Sequence, residues 1–254
     1  MERVRRLAVV VLVAALGAGG LSACRSHPDV AAYVGGEKIT TAQVEEVYAD
    51  ARTKLNEAAA QFRREQQGGA TPTASPTEPQ LPINRRDIVA TLVGREVLRR
   101  LAQERNVKPA PPSAEDVAQL FSLPPDTRFV RDHVEFRGYL DALSKTAGDT
   151  PPTDADLAEI LRRIQRAGGL PADMKLADFR ANLSDADNAV LARNIALRNL
   201  LRERVAEVDT RINPRYGRAE VPLVTYRSGE GEPVPLIVVA FDGTPGGPAV
   251  VEAG

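Results

Sequence analysis

The stretch DVAAYVGGEKITTAQVEEVY, residues 29–48, decides the fold. Residues 30–34 predict a short strand. Gly35-Gly36 predicts a two-residue hairpin turn, because both central positions of a tight primed turn need positive φ. The return strand ends at Thr40, which with Gln43 has the spacing of a capping box and so predicts the start of a helix.

An isolated two-stranded hairpin is only marginally stable in water, so this hairpin needs a further strand or a helix. Residues 208–212 follow the last long predicted helix and are the best candidates for a third strand. We therefore expect a mainly α fold, a helical lobe closed by a small sheet that joins the N- and C-terminal segments.

The residues before the hairpin predict export. Arg3, Arg5 and Arg6 precede a short apolar run at 7–16, which is shorter than the roughly 17 residues that a membrane-spanning helix needs. The tetrad LSAC at 21–24 resembles a bacterial lipobox, whose cysteine is lipidated and becomes the first residue of the mature chain. This predicts a signal peptide at 1–23, an anchor linker at 24–29, and a palmitate-type lipid anchor on the extracytoplasmic face of the cell membrane.

An ordinary secretory peptide that is cut near Ala23 is the alternative, and it would leave a free thiol at Cys24. Cys24 is the only cysteine of the chain, so it has no disulfide partner within the chain. Lipidation gives this lone cysteine a role, and both alternatives predict an exported protein.

Helical patterns fill the middle of the chain. Apolar residues recur at three- and four-residue steps through 41–67, which predicts a helix roughly 40 Å long. Residues 68–82 are rich in Pro, Thr and Gly and predict a flexible loop. Caps and periodicity predict further helices at 84–105, 113–121, 127–146, 153–167, 176–183 and 184–207.

The pattern changes after residue 212. Residues 221–226 and 234–241 predict strands that either cover the N-terminal hairpin or form a loose appendage. We expect 213–254 to form a short β-appendage with a disordered tail.

The order of these elements resembles the N-terminal, peptide-binding domain of the trigger factor/SurA chaperone family. The resemblance is carried by the hairpin at 30–40, IVATLVGREVL at 88–98, LAQERNVK at 101–108 and SAEDV at 113–117. It covers most of 30–212 and implies a SurA-N-like helical lobe that binds polypeptides. Larger members also carry a parvulin-type prolyl isomerase domain. We expect no such domain here, since helical patterns fill the part of the chain that it would need.

Large side chains on the apolar stripes are the candidate peptide contacts. They recur at helical spacing, a pattern that also fits core residues. The candidates are Tyr48, Leu55, Phe62, Phe129 and Phe136.

The composition argues against catalysis and nucleic-acid binding. A net charge of −1 provides no overall electrostatic attraction to nucleic acid. Of the two histidines, His27 follows the anchor, and His133 has the surroundings of a packed histidine. We expect no metal site, no cofactor and no enzyme activity. Arginine doublets beside acids indicate solvated helix faces: Arg63-Arg64, Arg85-Arg86, Arg99-Arg100 and Arg162-Arg163.

Two functional classes remain. The first is a membrane-anchored chaperone, a holdase for unfolded exported polypeptides. The second is a scaffold or accessory lipoprotein that binds one specific partner of the cell envelope. The breadth of binding separates them, because a chaperone binds many unfolded chains and a scaffold binds one folded partner.

Overall fold

The computed structural model describes residues 28–66, 78–227 and 233–241. This part of the chain is mainly helical with two small antiparallel sheets, which confirms the predicted class. In chain order the elements are β1 (Val30–Val34), β2 (Glu37–Thr40), α1 (Thr41–Gln66), α2 (Arg85–Glu104), α3 (Ala114–Phe121), α4 (Arg128–Ser144), α5 (Asp154–Arg166), α6 (Leu176–Asn182), α7 (Asp185–Glu207), β3 (Thr210–Ile212), β4 (Glu220–Tyr226) and β5 (Val234–Ala240).

The N-terminal hairpin is closed by the strand that follows the last long helix. Gly35 and Gly36 both have positive φ, +54° and +87°, as the turn requires. β3 pairs antiparallel with β1, with Ala32 opposite Ile212, and the strand order is β2-β1-β3. The predicted third strand is therefore confirmed, and it ties the two ends of the helical region together.

Helix α1 starts at the predicted capping box. The Thr40 N–H donates to Gln43 Oε1 at 2.7 Å, and the Gln43 N–H donates to Thr40 Oγ1 at 3.1 Å. The fully buried side chains of α1 all lie in its first half and end at Ala51. Residues 56–66, which we call the α1 arm, contribute to neither hydrophobic cluster of the described fold. The loop predicted at 68–82 lies outside the described residues as far as residue 77.

Helix α2 is the centre of the larger hydrophobic cluster. Twelve of its 20 residues are buried, and it contacts α1, α4, α7 and β1. Asn84 caps its start by accepting from the Arg86 and Asp87 N–H groups. Asn106, with φ +54°, ends it in a left-handed conformation. Every face of α2 except a narrow charged strip is thus covered by other elements.

A second, smaller cluster joins α5, α6 and the first half of α7. Its buried members include Leu157, Ile160, Ile195 and Ile237. The largely buried Asp156 of α5 accepts from Arg198 of α7 at 2.6 Å, which fixes these two helices to each other.

Strands β4 and β5 do not complete the hairpin sheet. They form a separate antiparallel pair. Val239 and Phe241 are fully buried in the larger cluster, whereas Ile237 is buried in the smaller one. The described part of 213–254 is therefore integral to the core, which corrects the expectation of an appendage. The predicted tail beyond residue 241 lies outside the described residues.

Candidate peptide-binding surface

Two of the five candidate contacts are core residues. Phe129 is 1% exposed and Phe136 is 2% exposed. Phe129 packs at right angles to Phe121 of α3, with 4.9 Å between the ring centroids. A polypeptide on the described surface does not reach either ring, so the prediction that they line a groove is corrected. Helix α3 and its neighbours cover the stripe on which they lie.

Two further candidates are partly covered at the base of α1. Tyr48 and Leu55 pack against the larger cluster from its edge. The Arg85 guanidinium lies 4.1 Å from the centroid of the Tyr48 ring and forms an ion pair with Glu45, 2.6 Å away. Its hydrogen bond lowers the pKa of Glu45. The Tyr48 ring is therefore already in contact with the Arg85 guanidinium.

Phe62 is the candidate that reaches solvent. It lies on the α1 arm and is 61% exposed. Leu120 of α3 and Val190 of α7 are the other large apolar side chains that are exposed in the described residues. The three lie on three different helices. Only Phe62 of the five candidates is therefore largely exposed in the described residues, so the five do not form one exposed surface.

A small polar cleft of about 160 Å³ lies between β2, α1, α2 and α4. Its apolar part is made by Ile39, Val47 and Leu92, and its remaining lining by Glu37, Lys38, Gln43, Arg95, Glu96, Arg128 and Asp132. The lining offers hydrogen-bond donors and acceptors but contains no hydroxyl, thiol or imidazole group that could act as a nucleophile or its base.

Ion pairs and hydrogen bonds between charged side chains stabilise the walls of this cleft. Burial raises the pKa of Glu96, but hydrogen bonds from Arg99 (2.6 and 2.8 Å) and Arg100 (2.6 Å) outweigh that effect, and the pKa is lowered. On the opposite wall, burial raises the pKa of Asp132 although Arg95 forms an ion pair with it. No local sequence pattern predicts this cleft, because its lining residues come from three separate segments of the chain.

His133 is a packed histidine, as predicted. Its ring contacts Phe121, Phe129 and Phe136, with centroid distances of 4.7, 5.7 and 5.2 Å. Its Nδ1 lies 3.4 Å from Oγ1 of the buried Thr91. Burial, with a smaller contribution from Arg137, lowers the pKa of His133 to about 4, so the ring is neutral at neutral pH.

Residues 28–66, 78–227 and 233–241 contain no group of three or more His, Cys, Asp or Glu side chains that could hold a metal ion. In the same ranges, no helix combines the length and hydropathy needed to cross a bilayer. Comparison of the chain with protein-family models, with curated proteins and with solved structures gives no match. Cys24 and His27 lie outside the described residues, and lipidation of Cys24 stays a prediction.

Proposed function

We propose that this chain is a membrane-anchored extracytoplasmic chaperone that holds unfolded or newly exported polypeptides without a catalytic step. The observation that carries the proposal is the α1 arm. Its 11 residues extend the helix by roughly 16 Å beyond Leu55. The arm presents Phe62 to solvent, 61% exposed, so this apolar side chain is open to contact by an unfolded polypeptide.

We also propose that residues 30–212 form a SurA-N-like lobe. The sheet order β2-β1-β3 supports this, because a hairpin before the helices is closed by a strand after them. The long first helix and the capped second helix follow the hairpin in the order that the resemblance implies. The lipobox-like LSAC at 21–24 supports a lipid anchor at Cys24 and a location on the outer face of the cell membrane.

The arm is held at its base but carries no core contact beyond it. Lys54 forms ion pairs with Asp50 (3.5 Å) and Asp126 (2.9 Å), which fixes α1 to the loop before α4. Leu55 is the last α1 residue that packs against the cluster. An arm fixed at one end can contact polypeptides of different shapes without disturbing the core.

One observation favours the alternative, a scaffold lipoprotein with one specific envelope partner. The described surface is dense in ion pairs, such as Arg128 with Glu46 at 2.8 Å and Arg85 with Glu45 at 2.6 Å. Such a surface suits a folded partner with complementary charges better than it suits unfolded apolar chains.

The test follows the aggregation of several unrelated, chemically unfolded clients by light scattering. It uses the mature chain, residues 24–254, with Cys24→Ser. We expect suppression near equimolar amounts and a several-fold loss of potency in Phe62→Ser. Val190→Ser is the matched control, because it also removes an exposed apolar side chain and we expect it to act like the parent.

Failure to suppress the aggregation of any client would reject the holdase and favour the scaffold. Equal potency of the Phe62→Ser and Val190→Ser variants would reject the arm as the contact. Prolyl isomerase turnover that depends on His133, in a protease-coupled assay, would overturn the non-catalytic assignment.

A further inference from the structure

A pocket lined by three guanidinium groups lies at the start of α2. Its volume is about 350 Å³, and its lining residues are Asn84, Arg85, Arg86, Arg215 and Tyr216. It lies far from the α1 arm along the helix axis, because Arg85 is bound to Glu45 in the second turn of α1. From Glu45 to Phe62, α1 rises about 25 Å.

Two of the three guanidinium groups form no ion pair with a carboxylate of the described residues, although Glu45 is close enough to Arg215 for an electrostatic interaction. Arg85 shares two hydrogen bonds with Glu45. Arg86 donates to the main-chain oxygen of Tyr216 at 3.2 Å, and Arg215 lies 4.9 Å from the centroid of the Tyr216 ring. Among the described residues, neither Arg86 nor Arg215 has a carboxylate oxygen within 4.0 Å.

The groups that this pocket offers to a ligand are side chains, not the backbone N–H groups at the start of α2. Asn84 Oδ1 already accepts from the Arg86 and Asp87 N–H groups, and Asp87 in turn accepts from the Asn84 N–H. The amide groups at the start of α2 are therefore occupied by their own cap. What remains for a ligand is a pair of planar guanidinium forks, a geometry that fits phosphate oxygens.

The pocket also lies beside the point where the chain enters the fold. Asn213, two residues before Arg215, donates to the main-chain oxygens of Val30 and Ala31, both at 2.9 Å. Val30 follows Cys24 by six residue steps, and an extended chain of that length spans at most about 20 Å. A lipid on Cys24 would therefore keep Arg86 and Arg215 near the membrane surface.

We propose that this pocket binds the phosphate group of anionic lipid headgroups in the membrane to which the chain is anchored. The membrane as the source of phosphate rests on the proposed lipid anchor, whereas the preference for a phosphate-type anion rests on the guanidinium pair alone. Binding there fixes the anchored end of the fold against the surface. The tip of the α1 arm then lies at the opposite end of α1 from the bound headgroups.

The test is flotation of the mature chain, residues 24–254 with Cys24→Ser, with vesicles. One set of vesicles contains phosphatidylcholine alone, and the other also contains phosphatidylglycerol. We expect binding to the anionic set only, weakened by added salt. The double variant Arg86→Gln/Arg215→Gln should bind several-fold less. The control Arg63→Gln/Arg64→Gln loses the same charge from the arm and should bind like the parent.

Arg215→Gln alone keeps the hydrogen bond of Arg86 to Tyr216, so its reduced binding would separate loss of the ligand from damage to the fold. Equal losses in the two double variants would overturn the pocket, because total charge would then explain the binding. Equal binding to both sets of vesicles would also overturn it.

Isothermal titration with inorganic phosphate separates the two sources of anion. Phosphate binding that needs Arg86 and Arg215, without any vesicle binding, would overturn the membrane source. The flotation assay contains no client and the aggregation assay contains no lipid. Either proposal can therefore fail while the other holds.

Discussion

The environment of His133 predicts a defined loss of stability in mild acid. The imidazole is packed among three phenylalanine rings, and Arg137 adds positive charge nearby. Its protonated form is therefore unfavourable in the folded state, where its pKa is about 4. In the unfolded chain the pKa returns to about 6.5.

The direction in which the unfolding free energy changes with pH follows from proton uptake by the unfolded chain. Between pH 6.5 and pH 4 the unfolded chain binds a proton at His133 and the folded chain does not, so the unfolding free energy falls as the pH falls. The contribution of neutral His133 is fully present above pH 6.5. With these two pKa values, about 2 kcal/mol is lost between pH 7 and pH 5, and about 3 kcal/mol by pH 4.

The measurement is urea unfolding at intervals from pH 7 to pH 4.5, for the parent and for His133→Leu. We expect the stability difference between them to change by about 2 kcal/mol towards the variant as the pH falls to 5. Taking the difference cancels other groups, including His27 and also Asp132, whose raised pKa acts in the opposite direction. Parallel pH profiles for the two proteins would refute the reasoning.

Three further predictions concern packing, pairing and the anchor. A Cβ added at Gly94 would lie 2.7 Å from Phe136 Cε2, so Gly94→Ala should cost about 1–2 kcal/mol in urea unfolding despite its better helix propensity; an unchanged midpoint would contradict this. Arg198→Met removes the ion-pair partner of the largely buried Asp156 carboxylate, which keeps its hydrogen bonds from Thr153, and should cost about 2 kcal/mol; Arg198→Lys should recover part of it, and full stability of the Met variant would refute the role of the pair. Cys24→Ala should abolish incorporation of labelled fatty acid, and unchanged labelling would refute lipidation at Cys24.

The local chemistry of this fold could be predicted from the sequence because it depends on residues within a few positions of each other. The Gly35-Gly36 turn needs only its own φ angles. The Thr40–Gln43 cap and the Asn84 cap each close within three residues. The pairing of β3 with β1 could also be predicted, because an isolated hairpin needs a partner and few strand-like segments were available.

The place of β4 and β5 could not be predicted in the same way. Pro222 and Pro235 limit the strands to edges, which is compatible both with an appendage and with a covered pair. Burial of Phe241 against Gly94 of α2 decides between them. That contact joins residues more than one hundred positions apart, and no local pattern encodes it.

The same limit explains the candidate contacts. Phe62 and Phe136 both lie on apolar stripes with helical spacing, so the sequence treats them alike. The structure separates them because α2 packs against Phe136 at Gly94, while the described fold leaves Phe62 of the α1 arm exposed. Arg85-Arg86 is exposed, as predicted, but it illustrates the same limit. This doublet fits a solvated helix face until the chain returns at Arg215 and places a third guanidinium beside it. On a helical protein of this kind, function is thus set by which faces the rest of the chain leaves uncovered or brings together, and both depend on contacts between distant segments.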